Sequence, residues 1–373
     1  MRKALIGLAI VLALYLLIVL IAGRGPHVDI PADARIGQEY VGENEAAVIE
    51  RTQNLILDQM RSRYGDDDTA LRDAHPKAHG CVQADFQILD GLDEHYRYGL
   101  FAAPRSYHAW IRFSNGSLVP QPDAKGDVRG MAIKLTGVPG PKLMPDENQT
   151  QDFLLINHPV LPVGDPGEYA DLFDLAFQGR PMSYMFSLNP FAWKLGALSE
   201  IIAIRTKKIP SMLGIRYWST TPYRWANNGA VKYSARPCEA STATVPDDPT
   251  DNYLREVMIA HLEGRDACFE FMVQPQTDAV AMPIEDPAVE WSEQLSPFVP
   301  VARIVIPVQN FATAPQDQFC EDLSFSPWHS VAAHQPLGGI NRVRKSVYLA
   351  ISAHRHQHNL REPIEPTGEE RFD

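Results

Sequence analysis

The sequence predicts an α+β fold: a closed antiparallel β-barrel of about eight strands with surrounding helices, preceded by one N-terminal transmembrane helix. Three observations lead to this prediction. Strand-like runs recur along the middle of the chain and are separated by long connections. Helix-like stretches lie before and after these runs. An uncharged apolar run stands close to the N-terminus.

The apolar N-terminal run extends from Ala4 to Gly23 and follows two basic residues. Twenty helical residues span about 30 Å, the thickness of a bilayer core, and the run exceeds the apolar part of a cleaved signal peptide. We therefore predict that residues 1–23 are the uncleaved signal anchor of a single-pass membrane protein, followed by a polar tether over residues 24–41. Because the basic residues stay in the cytoplasm, the remaining domain is expected on the periplasmic or extracytoplasmic side.

The remaining residues, 42–373, are predicted to form one domain. Apolar residues make up 45% of the chain and charged residues 21%, which is enough for a core and argues against disorder. The net charge of −12 repels phosphate backbones, so nucleic acid is not expected as a partner, while self-association is left open. Cys81 and Cys268 lie in strand-like runs and are predicted to be buried free thiols.

The predicted elements follow each other in a simple order. A helix is expected from Glu43 to Arg63, where apolar residues recur at helical spacing. Another helix is expected from Arg342 to His358, which has few breakers. The apolar segment from Ser183 to Ile204, interrupted at Pro190, is expected to pack on the barrel rather than lie on a bilayer. The strand-like runs are 81–89, 107–114, 128–135, 152–156, 214–218, 230–233, 268–273 and 302–307.

Three short motifs carry groups with useful chemistry: Arg72-Asp-Ala-His75, Arg112-Phe-Ser114 and Arg344-Lys-Ser-Val-Tyr348. A neutral imidazole can take up and return a proton near neutral pH. Arginine binds carboxylates through its planar fork. A phenol can bind a metal once it loses its proton, and an arginine one helical turn earlier favours that loss. Taken singly, each residue also fits an ordinary surface, strand or helix-core role.

In this order, the motifs resemble those of the haem catalases, and more closely those of the shorter catalase-like proteins. The resemblance continues through Arg129-Gly130-Met-Ala-Ile-Lys134, the segment 157–166, Trp291 and Leu323-Ser-Phe325-Ser-Pro327. It covers most of the chain between Arg72 and His358. The resemblance implies the catalase-like barrel and one cofactor, haem b (iron protoporphyrin IX).

The resemblance also implies a role for each motif residue. Tyr348 would be the iron ligand, as tyrosine is in catalases, with Arg344 beside it on the same helix. His75 would carry the proton, Ser114 would fix the imidazole tautomer, and Asn157 would be the catalytic amide. The haem propionates would be bound by Arg72, Arg112 and Arg355.

Two departures from the catalase pattern affect these roles. When the segment is read without a gap from Pro159, Ile156 falls at the position of the amide, and Asn157 is the next residue. A shift of one residue turns a strand side chain to the other face. If His354-Arg355-His356 is aligned with the similar catalase tripeptide, Ala350 falls at the ligand position; we retain Tyr348, because alanine offers no oxygen to iron.

The sequence therefore predicts a membrane-anchored haem enzyme of catalase or peroxidase type that decomposes hydrogen peroxide or organic hydroperoxides. Two alternatives stay open. An enzyme that rearranges fatty-acid hydroperoxides, like allene oxide synthases, would agree with the lost amide, the apolar segment and a lipid nearby. A non-catalytic barrel that binds haem or an apolar ligand would retain its ligand without turning over any peroxide.

Overall fold

A computed structural model describes residues 2–22, 28–187, 189, 192–226 and 228–372. Pro190 and the first residues of the predicted tether lie outside this part of the chain. Within it, one antiparallel sheet contains nine strands. They are β1 (Ala78–Ile88), β2 (Ser106–Asn115), β3 (Arg129–Leu135), β4 (Gln151–Ile156), β5 (Tyr217–Trp218), β6 (Tyr223–Trp225), β7 (Gly229–Pro237), β8 (Ala267–Pro275) and β9 (Val299–Ile306).

Eight of these strands close the sheet into a barrel. The ring runs β1-β2-β3-β4-β5-β7-β8-β9, and β9 pairs with β1 over Asp85–Ile88. Strand β6 pairs with β7 outside the ring. The predicted closed barrel of eight strands is therefore confirmed, and each predicted run contains one strand of the ring. The sequence analysis did not predict β6, a strand of three residues.

Side chains that alternate along each strand fill the barrel interior. Phe86 and Phe153 pack on Phe271 with ring centroids 5.0 Å and 4.8 Å away, respectively. Burying each ring stabilises the fold by roughly 1.5–3 kcal/mol. The intervening residues of β2, β3 and β4 face outward and form a polar and apolar surface outside the barrel. That surface carries the residues of the candidate site.

Helices pack around the barrel in the described part of the chain. They are α2 (Glu45–Arg63), α3 (Pro166–Phe177), α4 (Met182–Met185), α5 (Leu195–Thr206), α6 (Tyr253–Leu262), α7 (Ala314–Asp322) and α8 (Gly339–His358). Ile56 of α2 and Val343 and Val347 of α8 form one buried cluster beside the barrel. Helix α3 begins where Asp165 accepts a hydrogen bond from the Glu168 amide at 2.8 Å.

The apolar N-terminal run forms helix α1 (Arg2–Ala22). The prediction that this helix is a transmembrane anchor is nevertheless wrong, and so is the prediction that the chain is a single-pass membrane protein. Across the described part of the chain, no helix is both long enough and apolar enough to cross a bilayer.

The cysteines are paired, which corrects the prediction of buried free thiols. Cys81 of β1 forms a disulfide with Cys320 of α7, and Cys238 forms one with Cys268 of β8. The first pair is separated by 239 residues, so only the packing of α7 on β1 brings it together. The second pair lies where the β7–β8 ladder ends, and the Cys238 amide donates to the Cys268 carbonyl at 3.0 Å.

Candidate functional site

A deep cavity lies between the outer face of the barrel and helix α8. Its empty volume is about 1030 Å³, including space open to solvent. Most of its wall is apolar, with lining residues such as Ile56, Leu154, Ile156 and Val347. The polar groups on its wall include most of the residues singled out in the sequence, namely Arg72, His75, Arg112, Ser114, Arg344, Tyr348 and Arg355.

Ser114, Gly130 and Ile156 form a row across β2, β3 and β4 on the barrel side of the cavity, since each pairs directly with the next. The His75 ring lies against this row, with Nδ1 3.0 Å from the Ser114 hydroxyl oxygen. A Cβ on Gly130 would come within 2.7 Å of that Nδ1. Only glycine therefore leaves room for the imidazole in this position.

His75 is held firmly and is neutral at neutral pH. Its carbonyl accepts a hydrogen bond from Arg112 Nη1 at 2.9 Å, and its φ of 60° lies in the left-handed region that non-glycine residues seldom adopt. Strained backbone of this kind is found preferentially at functional sites. Burial, followed by the positive charge of Arg112, lowers the pKa of His75 to about 4. At neutral pH the ring is therefore uncharged, and one of its two nitrogens is unprotonated and able to accept a proton.

Tyr348 faces the same cavity from α8. Its half-buried ring packs with the cluster of Ile56, Val343 and Val347. Within the described residues, no hydrogen bond engages its hydroxyl. One turn earlier, the Arg344 guanidinium donates to the Thr221 hydroxyl at 3.1 Å and also lines the cavity. The predicted spacing of the arginine and the phenol thus places both groups at one wall.

Three arginines from distant parts of the chain converge on Glu321, at the end of α7. Arg72 donates to its carboxylate Oε2, and Arg112 Nη2 lies 3.4 Å from its Oε1. Arg355 donates to the Glu321 carbonyl and to the Leu323 carbonyl. The structure therefore brings together the three arginines that were assigned to carboxylate binding. Glu321 itself was not predicted.

The electrostatics of this cluster favour a further anion. Burial raises the pKa of Glu321, but the charges of Arg72, Arg112 and Arg355 outweigh this effect and bring the pKa to about 2. Burial and mutual repulsion lower the pKa of Arg112 to about 10 and that of Arg355 to about 9. Three guanidinium groups facing one carboxylate leave excess positive charge, and Arg112 Nε has no hydrogen-bond partner within the described residues.

The structure does not bring Asn157 into the cavity. Its side-chain oxygen accepts a hydrogen bond from the Arg129 amide at 2.7 Å, beside the end of β3. Ile156, the preceding residue, lines the cavity instead. The one-residue shift noted in the sequence therefore has the expected consequence: an apolar side chain, on the strand after Gly130, lines the cavity where the resemblance implied an amide.

A second buried cluster, outside the cavity, contains Glu147, Asp152 and His329, whose ligand atoms lie within 4.8 Å of one another. The ammonium group of Lys134 already lies between the carboxylates, 2.5 Å from Glu147 Oε2 and 2.8 Å from Asp152 Oδ1. A cation therefore occupies the position that a metal would need. Burial and the charge of Lys134 lower the pKa of His329, but the hydrogen bonds that its ring donates to Asp146 and Asp152 outweigh them and raise it to about 9.

Comparisons with known proteins agree with this architecture. No protein-family model matches the chain, and no curated protein does. Among solved structures, a fungal catalase superposes with a TM-score of 0.59 at 15% identity, over 90% of this chain and 69% of that one. The chain has the catalase fold. A bacterial catalase (TM-score 0.58, 16% identity, 92% and 67% coverage) and catalase A from Saccharomyces cerevisiae (0.57, 15%, 93% and 72%) give the same result.

The residues of the cavity are compatible with the haem group that the sequence resemblance implies. The phenol of Tyr348 is free of hydrogen bonds within the described part of the chain and offers an oxygen ligand. The cluster of Arg72, Arg112 and Arg355 has charge to spare for carboxylates, and Gly130 keeps space beside His75 open. Among the cavity residues, Asp73, Tyr169 and the nearby Glu321 escaped the sequence analysis. Of these only Asp73, inside the Arg72–His75 motif, could have been found from the sequence.

Proposed function

We propose that this chain is a haem b-dependent oxidoreductase that decomposes hydrogen peroxide or an organic hydroperoxide. The observation that carries the proposal is the shared cavity. His75 with Ser114 lies at its barrel wall, and Tyr348 with Arg344 lies at its α8 wall. The likeness to catalases supports the fold on which this arrangement depends. No other feature of the described residues combines a proton acceptor, a free phenol and a carboxylate-binding cluster.

Each residue has a defined part in this proposal. Tyr348 would bind the iron through its phenolate oxygen, and Arg72, Arg112 and Arg355 would bind the two propionates. Bound haem supplies the redox-active iron at which the oxygen–oxygen bond of a peroxide is cleaved.

The protein itself handles the proton. Because Nδ1 of His75 is engaged by Ser114, Nε2 is the ring nitrogen available to accept a proton from the peroxide and return it to the leaving oxygen. The depressed pKa of His75 keeps the ring neutral before the substrate arrives. In the tautomer in which Nδ1–H donates to the Ser114 hydroxyl, Nε2 is then unprotonated. The apolar wall formed by residues such as Leu154 and Ile156 limits the water around the reacting oxygens.

A second candidate function has one observation in its favour. Ile156 replaces an amide in the cavity, and Asn157 is engaged elsewhere by the Arg129 amide. A cavity with few polar contacts for a small peroxide favours a larger, apolar peroxide as the substrate, such as a fatty-acid hydroperoxide. Rearrangement of such a hydroperoxide is therefore the alternative. A haem-binding protein without turnover is the remaining outcome.

The first experiment is an absorption spectrum of the full chain produced with a haem supply, before and after peroxide is added. We expect a high-spin ferric spectrum with tyrosinate as the iron ligand, and its change on addition of hydrogen peroxide. Evolution of oxygen would identify catalase activity. Conversion of a fatty-acid hydroperoxide without evolution of oxygen would identify the rearranging enzyme. A spectrum that no peroxide changes would indicate haem binding without turnover.

Replacing Tyr348 by Phe tests the ligand. This variant should lose most of its haem or show a changed spectrum, because the phenyl ring offers no oxygen to iron. Tyr169→Phe is the matched control, since Tyr169 also lines the cavity but is not assigned to the iron; its spectrum should match that of the unmodified chain. Unchanged haem content and spectrum in Tyr348→Phe would show that the ligand assignment is wrong.

A further inference from the structure

Asp73 is a polar group of the cavity that has no part in the mechanism above. It lies between Arg72 and His75 in the same segment, is 2% exposed, and lines the cavity. Within the described residues, its Oδ1 has no hydrogen-bond partner. An unpartnered buried carboxyl costs free energy, and a fold retains one only where something offsets that cost.

The position of Asp73 complements the altered wall of the cavity. Ile156 stands beside Gly130, two strands from Ser114, where an amide would have held the far oxygen of a peroxide, and the Ile156 side chain offers that oxygen no hydrogen bond. Asp73 enters the same cavity from the segment that carries His75, two residues before it. A carboxyl can donate or accept a hydrogen bond according to its protonation state, and an isoleucine can do neither.

We propose that Asp73 is a second catalytic residue, which contacts the far oxygen of the peroxide and exchanges a proton with it. This inference rests on the proposed function. Its step is a proton transfer only: the carboxyl O–H bond breaks, an O–H bond forms on the far oxygen, and the carboxylate retains the electron pair. The Asp73 proton thus replaces the one that His75 would otherwise deliver to the far oxygen. His75 Nε2 holds the proton from the near oxygen and then passes it to the Asp73 carboxylate, so both groups are restored.

The charges around Asp73 are compatible with this exchange. Burial raises its pKa to about 6, and the charge of Arg63 at the end of α2 partly opposes this shift. The carboxyl is therefore divided between its two protonation states near pH 6. The other charged or titratable side chains that share the cavity come from its own segment, β2, α3 and α8; they are Arg72, His75, Arg112, Tyr169, Arg344, Tyr348 and Arg355.

The test compares the full chain with Asp73→Asn and with Asp67→Asn, each loaded with haem. Asp67 is exposed, so its replacement changes the net charge equally but leaves the cavity intact. The haem spectrum and the rate of its change after addition of hydrogen peroxide are followed from pH 4.5 to 8. Infrared spectra of the haem-free proteins over the same range report the C=O band of a neutral carboxyl.

We expect Asp73→Asn to bind haem like the unmodified chain and to react with peroxide about 100-fold more slowly, as when a positioned proton donor is lost. It should also lose the pH dependence centred near pH 6 and the carboxyl band that titrates there. Asp67→Asn should retain all three properties. A merely structural carboxyl could alter stability, but its loss would leave the rate and its pH profile unchanged.

The outcomes separate this inference from the proposed function. If Asp73→Asn reacts at the unmodified rate with the same pH profile, the inference is wrong and the proposed function stands. If the unmodified chain takes up no haem, the proposed function is wrong and the inference falls with it. If no carboxyl band titrates near pH 6 in the unmodified protein, the inference is wrong whatever the haem content.

Discussion

Two clusters of buried charge lie on the outer side of the same barrel, and they differ in how their charges are balanced. Around Lys134, the cation is matched by Glu147 and Asp152, and every charge has an opposite within 3 Å. Around Glu321, one carboxylate faces Arg72, Arg112 and Arg355. The charges of the first cluster are neutralised within the protein, whereas the second cluster lies at a cavity and carries excess positive charge. Balance therefore separates a structural cluster from one suited to bind an anion.

The largest expected effect follows from removing the cation of the balanced cluster. Lys134→Met should destabilise the protein by about 4 kcal/mol, because two buried carboxylates lose their only ammonium partner. Denaturant unfolding at pH 8 measures this loss. Lys125→Met is the control, since the Lys125 side chain is exposed, and it should change stability little. A loss in Lys134→Met no larger than in the control would show that the cluster is not held together by this charge.

A pH titration of stability tests the same cluster without removing Lys134. The pKa of His329 rises from 6.5 to about 9 on folding, so its protonated ring stabilises the folded state fully below pH 6.5. This stabilisation, about 3 kcal/mol, disappears as the pH rises from 6.5 to 9. Unfolding curves of His329→Asn should lack this loss across that window. The same slope in both proteins would contradict the assignment.

The smallest effect is expected at the unbalanced cluster. The pKa of Glu321 falls from 4.5 to about 2 on folding, so its stabilisation is present above pH 4.5 and disappears as the pH falls towards 2. Its side chain is 31% exposed, which reduces the expected loss in Glu321→Gln at pH 7 to about 2 kcal/mol.

A soluble anion should distinguish the two clusters. Succinate, a dicarboxylate, should restore stability to Glu321→Gln because the arginines can bind it, and it should not restore stability to Lys134→Met. Glu293→Gln removes a more exposed pair with Arg216 and serves as the control. If succinate restored the stability of both variants equally, the two clusters would not differ in anion binding.

The barrel could be predicted because its signal is local. The eight predicted runs carry apolar residues in alternation or in a continuous stretch, and this pattern can be recognised from the local sequence alone. Helices α3 and α7 were missed although their start signals are present: Asp165 and Thr313 both cap a helix that has proline in its first turn. The membrane anchor was wrong, since apolar composition alone does not establish a span.

The site could be predicted only where its residues lie in short motifs. His75 and Arg72 share one motif, and Arg344 and Tyr348 are separated by one helical turn, so their proximity is visible in the sequence. Glu321 meets Arg72 across 249 residues, and nothing in the local sequence indicates that contact. The same holds for the cysteine pairs. Long-range partners depend on packing, which the order of residues does not reveal.

The Cys81–Cys320 bridge also gives the chain an unusual resistance to being cut apart. It joins β1 to α7 directly beside Glu321, and most of the barrel lies between the two cysteines. A protease that cleaves a loop within that span leaves two fragments tied by this bridge, and by the Cys238–Cys268 bridge as well when the cut falls between residues 238 and 268. The two fragments of such a cleaved molecule stay joined by the hydrogen bonds between barrel strands and by the disulfide. They separate only after the protein is both reduced and unfolded.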